Sequence, residues 1–331
     1  MTSSRRRPAK GGALPAGPKG RARQAGPSRS SASRQAAPTS AGSGPSRSGA
    51  SRQAGPTGAG SGPKKGGRNL KLAILTGVTL GALVVGLLYL GSEAFFGLAV
   101  VVIVMAQAEF YRAARGGGHN PAAALGLVAG AVLLLGVFLQ GESAAGIVLS
   151  LTLAGCFLWY MSLETRTAMV ANAGVTMLGV AYIPLLGSYV GLLALRPDGR
   201  GVTIVAIGGA AVYDIFAYAG GSKLGRHPMA PSISPNKTWE GAAVATLATV
   251  GLLTFAGPRL GPWSMVQAAI LGAAIALVAP LGDLVESAIK RDLGIKDMGT
   301  IFPGHGGALD RIDAILFTAP TVYLSLKVFG L

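Results

Sequence analysis

The chain is 331 residues long, 50% hydrophobic and only 13% charged, with a formal net charge of +16. That balance excludes an ordinary soluble enzyme and points to a membrane protein, whose spans need about twenty consecutive apolar residues. The single cysteine, Cys156, excludes an internal disulfide and a thiol-based metal site, and reads as a small buried hydrophobe.

The charge is unevenly spread. Residues 1–68 carry 14 Lys and Arg and no acid, whereas the remainder carries 15 bases against 13 acids. The basic segment is built from Ser, Arg, Gly, Pro, Ala and Gln. It repeats an 18-residue unit, first from Gly26 and again from Gly44, with 15 identities. Without apolar periodicity it cannot bury enough surface to offset ordering entropy, so it reads as a disordered arm. No apolar run follows its first arginines, so it is not expected to be a secretory signal. Its charge suits a topology-setting arm, or contact with anionic lipid headgroups or nucleic acid.

Residues 69–331 form the second unit. Nine apolar segments lie near 70–91, 94–111, 121–139, 144–163, 168–195, 201–221, 240–257, 263–282 and 312–330. Frequent glycine within them suits helices packed closely in lipid, and the ten-residue alternation of a membrane β-barrel is missing. The expected fold is therefore all-α: a polytopic integral membrane protein of about nine transmembrane helices behind a disordered basic arm. With the arm in the cytoplasm, inward gaps hold ten bases, from Arg112 and Arg115 to Arg311, and outward gaps hold only Arg196, Arg200 and Arg259. This obeys the positive-inside rule. It puts the two long polar gaps, 222–239 and 283–311, on one cytoplasmic side. Glu109 and Arg112, three apart, read as an interfacial pair, and Glu164 and Arg166 flank a short turn.

The first polar gap is approached through Asp214, which lies past the middle of an apolar segment, where an ionisable group is costly and suggests function or a partner helix. Ser232, Ser234, Asn236, Lys237 and Thr238 then precede a helix expected near Trp239. Hydroxyls and a lysine at a helix N-terminus suit phosphate oxygens; alternatively Ser234 or Asn236 caps that helix.

The second gap is denser, with ten formal charges between Asp283 and Asp313. Lys290, Arg291 and Lys296 offer positive charge beside Asp297. A turn, Pro303-Gly304-His305-Gly306-Gly307, precedes Asp310, Arg311 and Asp313. Glycines let backbone N–H groups approach a ligand, and Asp310 and Asp313 share a face if a helix has begun. Carboxylates mixed with bases suit a divalent cation holding a polyphosphate. Only three scattered histidines are present, which disfavours a soft-metal site. Ser287, His305 and an aspartate make a triad on paper without geometry to support it. The plainest alternative is a loop whose charges pair with one another.

Ser287, Lys290, Arg291, Lys296-Asp297, Pro303, His305, Gly306, Gly307, Asp310-Arg311 and Asp313 together resemble the signature of phosphatidate cytidylyltransferases, the CDP-diacylglycerol synthases. The match spans 27 residues, and the segments SPNKTWEG and GRHPMAP are similar to family segments as well. Two departures are Ala308, where the family has a larger aliphatic residue, and Ile215-Phe216, bulky where small or hydroxylated residues are common. The resemblance implies that CTP and phosphatidate give CDP-diacylglycerol and pyrophosphate with Mg2+. It implies metal binding by Asp297, Asp310 and Asp313, with Asp283 a further candidate, and a catalytic role for Lys296. Lys290, Arg291, Lys296 and Arg311 would bind phosphates, with Lys237, Ser234, His305 and Asp214 completing the substrate site.

The expected partners are CTP, phosphatidate and membrane lipids, with anionic headgroups for the arm and a homodimer as an open assembly. The expected location is the cell (plasma) membrane, with the N-terminus and active site cytoplasmic. Two other classes stay open: a transporter for an anionic substrate, which Asp214 and the many glycines would suit, and a binding module acting through the arm.

Overall fold

The computed structural model describes residues 70–163, 168–299 and 306–331, with side chains from Gly77 onward. The basic arm, Glu164, Arg166, Pro303, Gly304 and His305 lie outside the described residues. The chain runs as α1 (Leu70–Leu90), α2 (Ser92–Gly116), α3 (Ala123–Gln140), α4 (Ser143–Met161) and α5 (Met169–Val180). A π-helical turn, Ala181–Leu185, leads into α6 (Leu186–Ala194) and then α7 (Gly199–Leu224). A small antiparallel hairpin, β1 (Pro228–Ala230) and β2 (Ser234–Thr238), precedes α8 (Trp239–Leu260) and α9 (Met265–Asp292). Two short helices close the chain, α10 (Leu309–Ile312) and α11 (Ile315–Val328).

Every predicted apolar segment is helical, and seven helical stretches among the described residues are long and apolar enough to cross a membrane. The count differs from nine at the two ends. Only Gly77–Leu90 of the first helix is described with side chains. At the other end α11 has 14 residues, about 21 Å of helix against a hydrocarbon core of about 30 Å. The segment predicted at 168–195 is one continuous rod from Met169 to Ala194, broken in register where Pro184 sits inside the π-helical turn. Proline lacks the N–H an α-helix needs there, and the wider turn accommodates it.

The largest departure concerns the second polar gap. Its first ten residues are not loop: α9 continues unbroken to Asp292. No glycine or proline interrupts Asp283–Asp292, and Glu286 and Lys290 pair four residues apart along it. The charges from Asp283 to Arg291 are thus displayed on a rigid rod.

The two largest apolar clusters among the described residues make up most of the core. One gathers Leu193, Val202, Val205, Leu253, Leu271, Ile275 and Val322; the other gathers Ile103, Phe110, Tyr111, Leu134, Ile183, Leu309 and Leu316. Cys156 is buried with a free thiol, beside Tyr160 and Ala173. Outer faces remain apolar: Leu247 is 76% exposed, Val266 70% and Phe255 63%. Large aliphatic side chains in that position suit contact with lipid rather than water.

Close backbone approach fixes α9 against the chain leading into α11. A Cβ on Gly282 would stand 2.4 Å from the Asp313 carbonyl oxygen and 2.9 Å from the Ala314 Cα. Gly282→Val is therefore expected to push the two apart and to destabilise the protein by about 1–3 kcal/mol. A lowered thermal midpoint in detergent checks this, and an unchanged one refutes it.

Candidate active site

The site is assembled where the last three turns of α9 meet the hairpin and the segment before α11. The hairpin is closed at its base by Glu240, which accepts hydrogen bonds from the N–H groups of Arg226 (3.1 Å) and His227 (3.2 Å). The cap of α8 is Thr238, whose hydroxyl accepts from the Gly241 N–H at 3.2 Å. It is not Ser234 or Asn236, because both lie in β2, where Ser234 pairs with Ala230.

The hairpin is tied to α9 at two points. Lys237 Nζ lies 2.7 Å from Asp283 Oδ2, and the Arg291 Nε donates to the Ile233 carbonyl at 3.3 Å. Lys237 and Asp283 come from different polar gaps, so the two gaps form one site. Asp214, on α7, feels the charges of both Asp283 and Lys237. Ser287 donates to Asp283 Oδ1 at 3.2 Å.

Three carboxylates converge at the centre. Asp283, Glu286 and Asp313 each offer an oxygen, and these lie within 4.8 Å of one another. Glu286 is only 1% exposed. Its Oε2 accepts from Lys290 Nζ at 2.6 Å, while its Oε1 is buried with no hydrogen-bond partner among the described residues. Asp313 Oδ1 accepts from the Ala314 N–H at 2.8 Å. Burying negative charge at this density is costly unless cations or hydrogen bonds compensate it.

Asp310 stands on the other side of Lys290, which bridges the two acids at 2.6 Å to Glu286 and 2.8 Å to Asp310. The second Asp310 oxygen accepts from the N–H groups of Gly307 (2.6 Å) and Met298 (3.3 Å). Burial pushes the Asp310 carboxyl up. Hydrogen bonds from Lys290 and the Gly307 N–H, with the Lys290 charge, outweigh it and hold the group below the usual carboxylate range. Gly306 has φ +78°, and a Cβ there would lie 2.6 Å from Asp310 Oδ2. Glycine is the residue that takes this conformation and leaves the carboxylate room. Lys296 and Asp297 are exposed on the turn after α9, and Arg311 is exposed next to Asp310. The structure therefore gathers Asp283, Asp313, Lys237, Lys290 and Asp310, and leaves Lys296 and Asp297 at the surface.

Residues 71–329 match the sequence model of the cytidylyltransferase family. The chain belongs to the cytidylyltransferase family. Among cytidylyltransferases similar to it is the phosphatidate cytidylyltransferase of Mycobacterium leprae, 34% identical over 282 residues, covering 79% of this chain and 88% of that protein. The Synechocystis protein of the same name is 34% identical over 271 residues, covering 73% of this chain and 91% of its own. That of Brucella melitensis is 33% identical over 271 residues, covering 79% and 95%.

Three residues of this cytidylyltransferase stand at the site without having been singled out for it. Glu286 had a local signal, since it lies one turn from both Asp283 and Lys290. Glu109 had none. It is fully buried on α2, and its Oε2 accepts from the Leu309 N–H at 3.1 Å. Cβ atoms on Gly299 and Gly307 would fall 2.2 and 2.3 Å from its two oxygens. Among the described residues it forms no ion pair with Arg112, which is exposed; the pairing expected from their spacing is replaced by this reach across the fold. Tyr182, in the π-helical turn, is 4% exposed, and its hydroxyl has no hydrogen-bond partner among the described residues. The charges of Asp313, Glu286 and Asp283 act on it. π-Helical turns often mark functional positions.

Proposed function

We infer that this chain transfers the cytidylyl group of CTP to phosphatidate, giving CDP-diacylglycerol and pyrophosphate. The observation that carries this reading is the agreement of phosphatidate cytidylyltransferases over most of the chain, joined to an acidic trio flanked by lysines from both polar gaps.

The donor set suits a hard divalent cation. Three carboxylate oxygens lie within reach of one ion, one acid has a buried oxygen with no partner, and Mg2+ takes a few carboxylates plus substrate phosphate oxygens. Asp283, Glu286 and Asp313 would hold Mg2+, which when bound supplies charge neutralisation on the leaving pyrophosphate. In the transfer a phosphatidate oxygen forms a bond to the α-phosphorus of CTP, and the bond to the β-phosphate oxygen breaks. The attacking phosphate is already anionic, so positioning and charge matter more than a general base.

Lys237 and Lys290 carry the positive charge nearest the acids and meet the substrate phosphates. Arg291, Arg311 and Lys296 extend that field, with Lys296 and Asp297 on the exposed turn receiving the nucleotide. Asp310 holds Lys290 and the Gly307 N–H in place. Ser234, Asp214 and His305 complete the substrate-binding set. The transporter reading has no observation in its favour.

The protein is membrane-embedded, and we place the site on the cytoplasmic side of the plasma membrane, where the bases concentrate and CTP is found. We assign the catalytic domain to residues 69–331 and give the basic segment 1–68 no part in the transfer. The test is pyrophosphate release by the purified chain. Release should require CTP, phosphatidate and Mg2+ together, and should persist after removal of residues 1–68. Release that ignores phosphatidate overturns the reading.

A further inference from the structure

The end of the bundle remote from the acids holds a polar cavity. The Leu260 end of α8 is separated from its Thr238 end by 22 residues, about 33 Å of helix, a full membrane crossing. There a cavity of about 660 Å³ is lined by Arg196, Arg200 and Arg259, with Glu93, Asp198, Tyr89 and Leu260. These are the three bases that the charge pattern assigns to the outward gaps. They come from two different connections and meet in one hollow.

Their chemistry is uneven. Arg196 is paired with Asp198 at 2.8 Å. Arg200 and Arg259 face no carboxylate within ion-pair distance among the described residues. Each is instead fixed through a backbone carbonyl: Arg200 Nε donates to the Leu88 oxygen at 3.1 Å, and Arg259 Nη1 to the Phe255 oxygen. The Arg200 guanidinium also sits over the Tyr89 ring, 5.4 Å from its centroid. Both side chains are thereby held in place, with further N–H donors to offer. A guanidinium fork with no carboxylate suits phosphate, and the volume lies within the usual range of ligand pockets. Tyr89, on the wall, is 66% exposed, and Leu90 beside it 79%, in the band where lipid would lie.

We propose that this cavity binds a phosphate group on the face opposite the catalytic site, carried by an anionic phospholipid headgroup or by free phosphate. The site is independent of the transfer chemistry and counts three guanidinium groups against two carboxylates.

Native mass spectrometry of the full, delipidated chain in detergent tests it, with phosphatidylglycerol, diacylglycerol lacking phosphate, and inorganic phosphate as probes. Phosphatidylglycerol retention well above that of diacylglycerol is expected. The double variant Arg200→Gln/Arg259→Gln should retain one fewer lipid, with affinity lowered about tenfold or more. Its turnover should be unchanged. Retention of inorganic phosphate, lost in the double variant, without preference for phosphatidylglycerol assigns the site to free phosphate. The variant Arg200→Lys/Arg259→Lys guards against misfolding, since it keeps the charge and should bind between the two extremes. Equal phosphatidylglycerol and phosphate retention by wild type and the Gln variant overturns the proposal.

Discussion

Asp313→Asn should lower CTP-dependent turnover by about 10²–10³-fold, the loss typical of removing one electrostatic contact to a reacting phosphate or carbonyl. The substitution keeps size and shape, and the amide oxygen can still accept from the Ala314 N–H. What it removes is one of three carboxylates whose oxygens lie within 4.8 Å of one another. Relief of like-charge crowding should leave the thermal midpoint unchanged or raise it. Activity and stability therefore move apart, and divalent-cation affinity should fall with activity. A variant that loses stability and activity together would assign Asp313 a structural role. Near wild-type turnover would remove it from the ion-holding set.

Glu109→Ala should destabilise the protein by about 2–4 kcal/mol and lower turnover at least tenfold. The carboxylate bonds the Leu309 N–H from 200 residues away and fills the space against Gly299 and Gly307. Its loss strands a buried donor and opens a hole beneath the segment that carries Asp310. Glu109→Gln keeps an oxygen acceptor of the same reach and should recover most of the loss. The measurements are thermal midpoint in detergent and kcat and KM for CTP. Wild-type values for the Ala variant would show that the contact positions nothing.

What sequence could reveal divides along a physical line. Apolar segments announce themselves because lipid-facing and buried positions are both apolar over a full crossing, and all nine appear as helices. The charge cluster near the C-terminus was visible for the opposite reason, its cost beside such segments. The continuation of α9 to Asp292 was also legible in principle, from its freedom from glycine and proline and its Glu286–Lys290 spacing. The β1–β2 hairpin was not, since Ser234–Thr238 shows no alternation of apolar residues. Glu109 and Tyr182 were out of reach, because periodicity gives the face a side chain occupies and not the element across from it. Tyr182 also depends on a register shift at Pro184, which turns the residues of one helix relative to an unbroken α-helical count.

The contact at Gly282 works as a ruler. Asp283 and Asp313 stand next to, or within, a place where main chain rests on main chain, with no side chain between to yield. The spacing of the two main chains that carry them is therefore set by backbone thickness, and each carboxylate swings on its own side-chain torsions from that base. A glycine that bears no ligand atom of its own thus sets how far apart the two acidic side chains are rooted.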